Sequence, residues 1–395
     1  MKKAIVLGGT APHKDLIERL KKREYYVYLL DFLSDSPAKE VADEHIQEST
    51  LDCERVLQIA KEKQVDLVIS TCIDQANSTV CYVAEHLGLP KCYDYLTSLD
   101  LTRKGQMKKK FVEFGIPTAK HFVLEQYENI PKLQYPFVIK PTDCNSSKGV
   151  YCVSNAQEYD MRMKEAFSLS REKKVIIEEY IEGVEIQVDC IAIKGKAYIL
   201  MTRDKITRNI SDKELQVDGF AIPGEICCSK YEVLQEIANN IVKAFDLKNT
   251  PFFYQAIVRN EQVYVLECAP RIAGGTTYST VELYSKYDYM DSAIRCFLGE
   301  NVDIPCKKRE EDFFGVRFIY SKSGVFDGVS GIEELLEKGE IIAYYAFVKK
   351  GKKISESANS GNRIGAVLVK GTSQEEVLKK AEIALGKIIV RMQAV

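Results

Sequence analysis

Apolar residues in this chain come in short runs closed by glycine, and between the runs they fall back to every third or fourth position. Lys3–Gly9 (KAIVLGG) reads as a buried strand ending in a glycine turn, and Lys14–Lys22 after it has helical spacing. The alternation continues with a strand over Tyr25–Phe32, a helix over Cys53–Gln64, a strand over Val65–Thr71 and a helix over Ser78–Leu87. Strand and helix alternating at this pitch imply right-handed β-α-β crossovers and a parallel sheet. Gly88, Leu89 and Pro90 then punctuate the chain, which sets a boundary there.

Beyond that boundary the pattern changes. Leu99–Phe114 reads as one helix, closed by Gly115 and followed by Pro117. Its lysines, Lys104, Lys108, Lys109 and Lys110, read by themselves as a solvated face. Strands follow at Tyr135–Lys140, at Tyr151–Val153, at Lys174–Ile181 and from Glu185 to Ile193. Thr202–Pro223 interrupts the strand pattern with Arg203, Lys205 and Arg208, and reads either as a solvent loop or as a mobile basic loop near an anionic substrate. Phe252–Val258 and the strand opening Val263–Gly275 form a hairpin with Asn260 and Glu261 in the turn. If that hairpin is symmetric about Glu261, Gln255 stands opposite Glu267, with Cβ atoms roughly 5 Å apart. Gln374–Ile388 carries Val377, Leu378, Ala381, Ile383, Ala384, Leu385 and Ile388 at helical spacing, a packing face.

Composition narrows the classes. At 395 residues the chain exceeds one ordinary core, so two or three domains are expected. A net charge of −2 gives no polyanion-binding surface, so nucleic acid is not expected as a partner. No stretch approaches the ~20 apolar residues that cross a bilayer, and no membrane partner is expected. The opening MKKAIVLGGTAP lacks the long apolar region of a signal peptide and reads as a first strand. The 12 cysteines have no C-x-x-C spacing, and Cys72, Cys152 and Cys190 lie in apolar runs, as reduced thiols of a cytoplasmic protein would. His13, His45, His86 and His121 are scattered and read as surface or cap residues, not as a metal cluster.

Candidate chemistry gathers at strand ends. Glu267, a small-residue turn, Arg271 and the Gly274-Gly275 pair follow one another at the exit of a strand, a place able to hold a metal–phosphate complex. Lys140 and Pro141 end a strand, and Thr142–Val150 (TDCNSSKGV) offers backbone N–H groups and hydroxyls to anionic oxygens. It is not a Walker motif, because its lysine precedes the loop. Glu178, Glu179 and Glu185, taken singly, are ordinary strand-edge charge. Gly8-Gly9-Thr10 could cradle a phosphate and Asp31 could touch a ribose, but the G-x-G-x-x-G spacing is incomplete.

Taken in order, Lys104, Lys140-Pro141, a Ser/Gly loop, Glu178-Glu179-Tyr180-Ile181, Glu185, Glu267 and Arg271 resemble the ATP-grasp superfamily. The resemblance implies a fold of α/β and α+β parts: a pre-ATP-grasp parallel-sheet domain (1–95), an ATP-grasp domain (96–300, hinge 175–185), and a C-terminal segment (301–395) completing the core. Ser360–Leu385 is similar to the closing segment of biotin-carboxylase-like and phosphoribosylamine–glycine-ligase-like members. The E-x-A-P-R-x-x-G-G strand exit is most like that of L-amino-acid ligases.

By that resemblance Lys104 and Lys140 hold ATP phosphates, and the Asn145–Gly149 loop, with Ser146, Ser147 and Gly149, is the flap over them. The adenine amino group would donate to the Glu178 carbonyl with the Glu179 side chain nearby. A ring nitrogen would accept from the Ile181 N–H beyond Tyr180, and Glu185 would take the ribose hydroxyls. Glu267 would hold Mg²⁺. Arg271 would bind a carboxylate or acyl phosphate with the Gly274-Gly275 turn and Arg203 beside it. Arg317 and Arg363 are candidates for the second substrate, one of them expected to be structural.

The implied reaction is ATP-dependent ligation of a small-molecule carboxylate to an amine by way of an acyl phosphate. ATP and Mg²⁺ are the implied cofactors, and a homodimer is the assembly common among relatives. Two positions depart from the family pattern. Gln255 stands where a second acid is usual, and Ala269 where an asparagine is. They imply either weaker Mg²⁺ binding with Gln255 as a neutral ligand, or an ATP-binding homologue with little or no turnover. A dehydrogenase using the N-terminal sheet is a third reading.

Overall fold

A computed structural model describes residues 1–126, 133–144, 149–211, 214–306, 312–355 and 360–393. The N-terminal unit is a four-stranded parallel sheet in the order Glu44–Ile46, Tyr25–Leu30, Lys2–Leu7, Leu67–Ser70. Its three longer strands are buried and apolar because helices Ala11–Lys22, Cys53–Lys63 and Asp74–Leu87 pack into the same core. Gly88 closes the last of these helices in the left-handed conformation. His13, expected at the surface, is fully buried on the first helix, where Thr10 and Ser70 hydroxyls flank its ring. Burial holds its imidazole down at about 3, so it is neutral.

The expected helix over Leu99–Phe114 is two helices, Tyr95–Thr102 and Lys104–Glu113, with Arg103 extended between them. The break has a cause: the Lys104 N–H donates to the Thr142 carbonyl at 3.0 Å, docking the second helix on the end of strand Phe137–Pro141. That strand belongs to a small antiparallel sheet, in the order His121–Leu124, Val175–Glu179, Phe137–Pro141, Tyr151–Val153. Helix Ala156–Leu169 covers it through Tyr159, Met163 and Ala166.

The large sheet has eight strands, every neighbouring pair antiparallel. Their order is Gln262–Ala269, Thr250–Arg259, Val184–Ile193, Lys196–Ser211, Glu214–Ile222, Phe313–Ile319, Gly365–Gly371, Ala343–Ala346. Thr202–Pro223 is therefore no loop but most of a long hairpin in mid-sheet. Arg203 and Lys205 lie two positions apart and meet Asp189 and Glu185 of the strand beside them, and Arg208 meets Asp218 across the hairpin. Strand Val184–Ile193 explains the sheet's two faces. Ile186, Val188, Cys190 and Ala192 pack under helix Tyr231–Ala244. On the other face Ile191 and Ile193 join a core shared with the N-terminal unit, while Glu185, Gln187 and Asp189 are polar. An apolar face that turns polar halfway along its strand marks where the core gives way to a cleft.

A three-stranded sheet, Lys353–Ile354, Gly324–Ser330, Ile389–Gln393, completes the C-terminal part with helix Gln374–Lys387. All 12 cysteines are free. Among the described residues no helix is long and apolar enough to cross a membrane.

Candidate functional site

Where the small sheet meets the large one, charged side chains are buried together. The Glu178 carboxylate lies 3.0 Å from the Lys140 ammonium and 3.5 Å from that of Lys108. The three side chains are 3%, 14% and 1% exposed respectively. Lys108, read from sequence as one of a solvated set, also donates to the Thr118 hydroxyl (2.5 Å) and to the Val265 carbonyl (3.2 Å). It thus ties the small sheet to the strand that delivers Glu267. Its position four residues after Lys104, one helical turn on, was the signal available in sequence.

Burial works against the charge on both partners. It pulls Lys108 down to about 8, with Glu178 and Glu267 opposing and Lys140 assisting. Burial would raise Glu178, but Lys108 and Lys140 overcome it and hold the carboxyl at about 2. Two largely buried ammonium groups share one carboxylate in contact, with Glu267 adding its field at Lys108. Glu178 Oε1 accepts no hydrogen bond there. Both facts describe a place for an anionic ligand that also carries donors. Lys104 reaches the same region, its ammonium donating to the Cys144 carbonyl. Of the flap residues, Ser146 and Ser147 lie outside the described residues. Gly149 is described; its φ of +74° and a Cβ that would fall 2.8 Å from the Pro141 ring both require glycine.

The hinge strand corrects one assignment. His121 stands opposite Glu178, and the Glu179 N–H donates to the Lys120 carbonyl at 2.8 Å. In an antiparallel ladder that bond turns the Glu178 backbone to the other neighbour, Val138. The Glu178 carbonyl is therefore turned into the sheet rather than towards an adenine, and the Glu179 carbonyl points to the opposite edge. The Glu179 carboxylate lies 3.7 Å from Arg259. Tyr180 is half-buried and Ile181 buried. The chain then squeezes past strand Thr250–Arg259 at Gly183, where a Cβ would fall 2.3 Å from the Val258 carbonyl oxygen. Glu185 follows, its carboxylate paired with Lys205 of the next strand.

Across four strands of the large sheet, Glu267, Gln255, Gln187 and Arg203 stand in register, each opposite the next. The pair Gln255–Glu267 forms as expected, by a different route. Asn260 and Glu261 both have positive φ, making a two-residue turn that pairs Ala256 with Val265, and an irregularity between Gln255 and Ala256 restores the 255–267 pairing. Gln255 Nε2 donates to Gln187 Oε1 (3.2 Å), and Gln187 Nε2 donates to Asp189 Oδ1 (2.8 Å). Arg203 closes the row 3.3 Å from Asp189 Oδ2 and donates to the Thr277 hydroxyl at 2.8 Å. It is fully buried, with its guanidinium 4.4 Å over the Phe220 ring, so it is a fixed part of the sheet and not a loop residue free to meet substrate. Burial lowers Arg203, against the pull of Asp189. The Thr277 hydroxyl in turn donates to the Gly274 carbonyl (2.9 Å), tying the Gly274-Gly275 turn to this row.

No group of three or more His, Cys, Asp or Glu that could hold a metal exists among the described residues. One carboxylate (Glu267) beside one amide (Gln255) is a donor set suited to an ion that arrives with a nucleotide and keeps phosphate and water as its other ligands.

Arg271 also departs from expectation. Its Nε and Nη2 grip both oxygens of Asp74, each at 2.6 Å, and Nη1 donates to the Ile272 carbonyl at 3.0 Å. Asp74 starts a helix of the N-terminal unit, so the fork expected to take a substrate carboxylate is engaged in an interdomain ion pair. Three of its five N–H groups are used by these bonds, leaving two. Of the two tail arginines, Arg317 turns to Glu382 on the helix Gln374–Lys387. Arg363 lies 3.8 Å over Phe318 and donates to the Tyr320 hydroxyl at 2.9 Å. Phe318 packs edge-on against Phe220, so Arg363 is on the side of the sheet that holds Arg203.

Residues 133–280 match an ATP-grasp domain, and residues 317–393 match the L-amino acid ligase C-terminal domain 2. The D-alanine–D-alanine ligase of Petrotoga mobilis is 30% identical over 151 residues, 35% of this chain and 47% of that enzyme. The phosphoribosylamine–glycine ligase of Fusobacterium nucleatum is 28% identical over 203 residues, 46% of this chain and 47% of that enzyme. The chain thus spans about half the length of these relatives. The crystal structure of L-amino acid ligase from Bacillus licheniformis superposes with a TM-score of 0.82 over 100% of this chain and 99% of that one, at 18% identity, a likeness of fold.

Proposed function

We propose, for a chain that belongs to the ATP-grasp superfamily and carries an L-amino acid ligase C-terminal domain, an ATP-dependent carboxylate–amine ligase activity. The observation that carries the proposal is the pair of largely buried ammonium groups, Lys108 and Lys140, that share Glu178 and lie against the strand carrying Glu267.

In this reading the triphosphate lies between Lys104 and Lys140 above and Glu267 below, with Lys108 contributing its field from beneath. The adenine amino group donates to the Glu179 carbonyl, a ring nitrogen accepts from the Ile181 N–H, and Glu185 receives the ribose hydroxyls. Glu267 and the Gln255 carbonyl would hold Mg²⁺, which when bound neutralises charge on the phosphate oxygens. A carboxylate oxygen of the first substrate attacks the γ-phosphorus and ADP leaves, giving an acyl phosphate. The amine nitrogen of the second substrate then attacks the acyl carbon; phosphate leaves and the nitrogen loses a proton. The lysines stabilise charge that moves onto the departing oxygens, and closure of the two sheets excludes the water that would hydrolyse the acyl phosphate. Arg271, held rigid by Asp74, offers its two remaining N–H groups to the substrate's oxygens.

Thermal unfolding with ligands tests this directly. ATP with Mg²⁺ should raise Tm and NAD should not. Phosphate release should then appear on adding mixed amino acids as carboxylate and amine sources. Stabilisation by ATP with no phosphate release from any acid–amine pool would leave a nucleotide-binding protein, and stabilisation by NAD alone would overturn the reading.

A further inference from the structure

Gln255 is an amide where the fold supplies an acid, and an amide can face a cation with its oxygen or, fatally for binding, with its NH₂. We infer that Gln187, Asp189 and Arg203 are positioning residues that fix the Gln255 amide with its oxygen toward the Glu267 side of the site. The inference rests on the reading of that site as the place of a metal–nucleotide complex.

The direction of the chain follows from what each group can do. Arg203 has donors only, and its guanidinium, 3.3 Å from Asp189 Oδ2 and 3.5 Å from Oδ1, favours the charged, accepting carboxylate against the burial that raises it. An acceptor at Asp189 obliges Gln187 to point its NH₂ there, at 2.8 Å. Gln187 then has only its oxygen left for Gln255, which must donate its own NH₂ across the 3.2 Å contact. What remains is the Gln255 carbonyl oxygen, on a residue that pairs with Glu267 on its other side. Reversing the Gln255 amide would set oxygen against oxygen at Gln187 or, if Gln187 turned with it, oxygen against oxygen at Asp189, inside a sheet where Gln187, Asp189 and Arg203 are all buried. The guanidinium at the far end of the row thus dictates the polarity of an amide two strands away. Gln187 and Gln255 act as one unit, and neither should be replaceable without losing the service of the other.

The test reads metal binding separately from nucleotide binding. Mn²⁺ affinity is measured by electron paramagnetic resonance in the presence of the non-hydrolysable analogue AMPPNP, and AMPPNP affinity is measured without metal in EDTA. Gln187→Met should weaken Mn²⁺ binding about tenfold, the usual scale for losing a residue that orients a ligand, with metal-free AMPPNP affinity unchanged. Gln255→Met should lose as much, and the double variant no more than Gln255→Met alone. Unchanged metal-free AMPPNP affinity and a cooperative thermal transition in Gln187→Met guard against a fold defect. Undiminished Mn²⁺ binding in Gln187→Met, or additive losses in the double variant, would each overturn the relay while leaving the ligase reading standing. Failure of the wild-type chain to bind AMPPNP at all would instead remove the ligase reading and the relay with it.

Discussion

Among single residues, Lys108 is the one whose character the fold changes most. Lys109, its neighbour, is 72% exposed, while Lys108 is 1% exposed and shares Glu178 with Lys140. Lys108→Met should weaken ATP binding about tenfold by titration calorimetry, equivalent to about 1.4 kcal/mol, and Lys109→Met should leave it unchanged. The sign with pH is also fixed. Before nucleotide binds, Lys108 loses its proton near pH 8, whereas an adjacent triphosphate favours the charged form and raises that value. Between the two values only the complex holds the proton, so wild-type affinity should fall as pH rises through about 8. In Lys108→Met that part of the slope should vanish.

At the level of elements, the informative places are where strands touch out of plan. Gly183 lets the chain leave the small sheet and enter the large one within van der Waals reach of Val258. A methyl group there would overlap the Val258 carbonyl oxygen, so the hinge or the strand must shift. Gly183→Ala should destabilise the fold by about 1–3 kcal/mol, read by thermal denaturation, and should weaken ATP binding as well, because Ile181 and Glu185 flank the displaced segment. The alternation of the parallel N-terminal sheet and the Gln255–Glu267 hairpin were legible from periodicity and turn residues, whereas strands Glu44–Ile46 and His121–Leu124 and helix Tyr231–Ala244 lie outside that reading. The break at Arg103 was not, because it depends on a backbone bond to Thr142, 39 residues downstream of Arg103 in the same sequence. Nor was the strand at Thr202–Pro223: its polar residues look like a loop until the acids of the neighbouring strand stand beside them.

For the whole molecule, the N-terminal unit and the large sheet share one apolar core, in which Ile5, Leu16, Ile191, Tyr289 and Phe314 all take part. Across the same junction Arg19 meets Asp288 at 2.6 Å and Arg23 meets Asp291 at 2.7 Å. These pairs are half-exposed and add little; the Arg271–Asp74 fork is more enclosed, its side chains 11% and 21% exposed. Asp74→Ala would take the doubly bonded partner from that guanidinium, and the expected loss is about 1–3 kcal/mol. Asp74→Asn, which keeps one acceptor, should lose less. Thermal unfolding followed by calorimetry separates the cases, and equal Tm values for wild type and Asp74→Ala would show that the ion pair contributes nothing to the junction.

By itself the sequence determined what is local: hydrophobic period, glycine and proline stops, and the succession of lysines, acids and arginine along the chain, from Lys104 to Arg271. Those features act between residues a few positions apart, so a linear reading reaches them. Tertiary structure alone decided which of these charges are paired and which remain for a ligand. Lys108 with Glu178, Arg271 with Asp74, and Gln255 through Gln187 and Asp189 to Arg203 are partners which, the Gln187–Asp189 step apart, are separated by 14 to 197 positions. Strand register, one irregularity in a hairpin and the closeness of two sheets bring them together. A side chain's charge is written in the sequence; its partner, and therefore its chemistry, is set by what the fold places beside it.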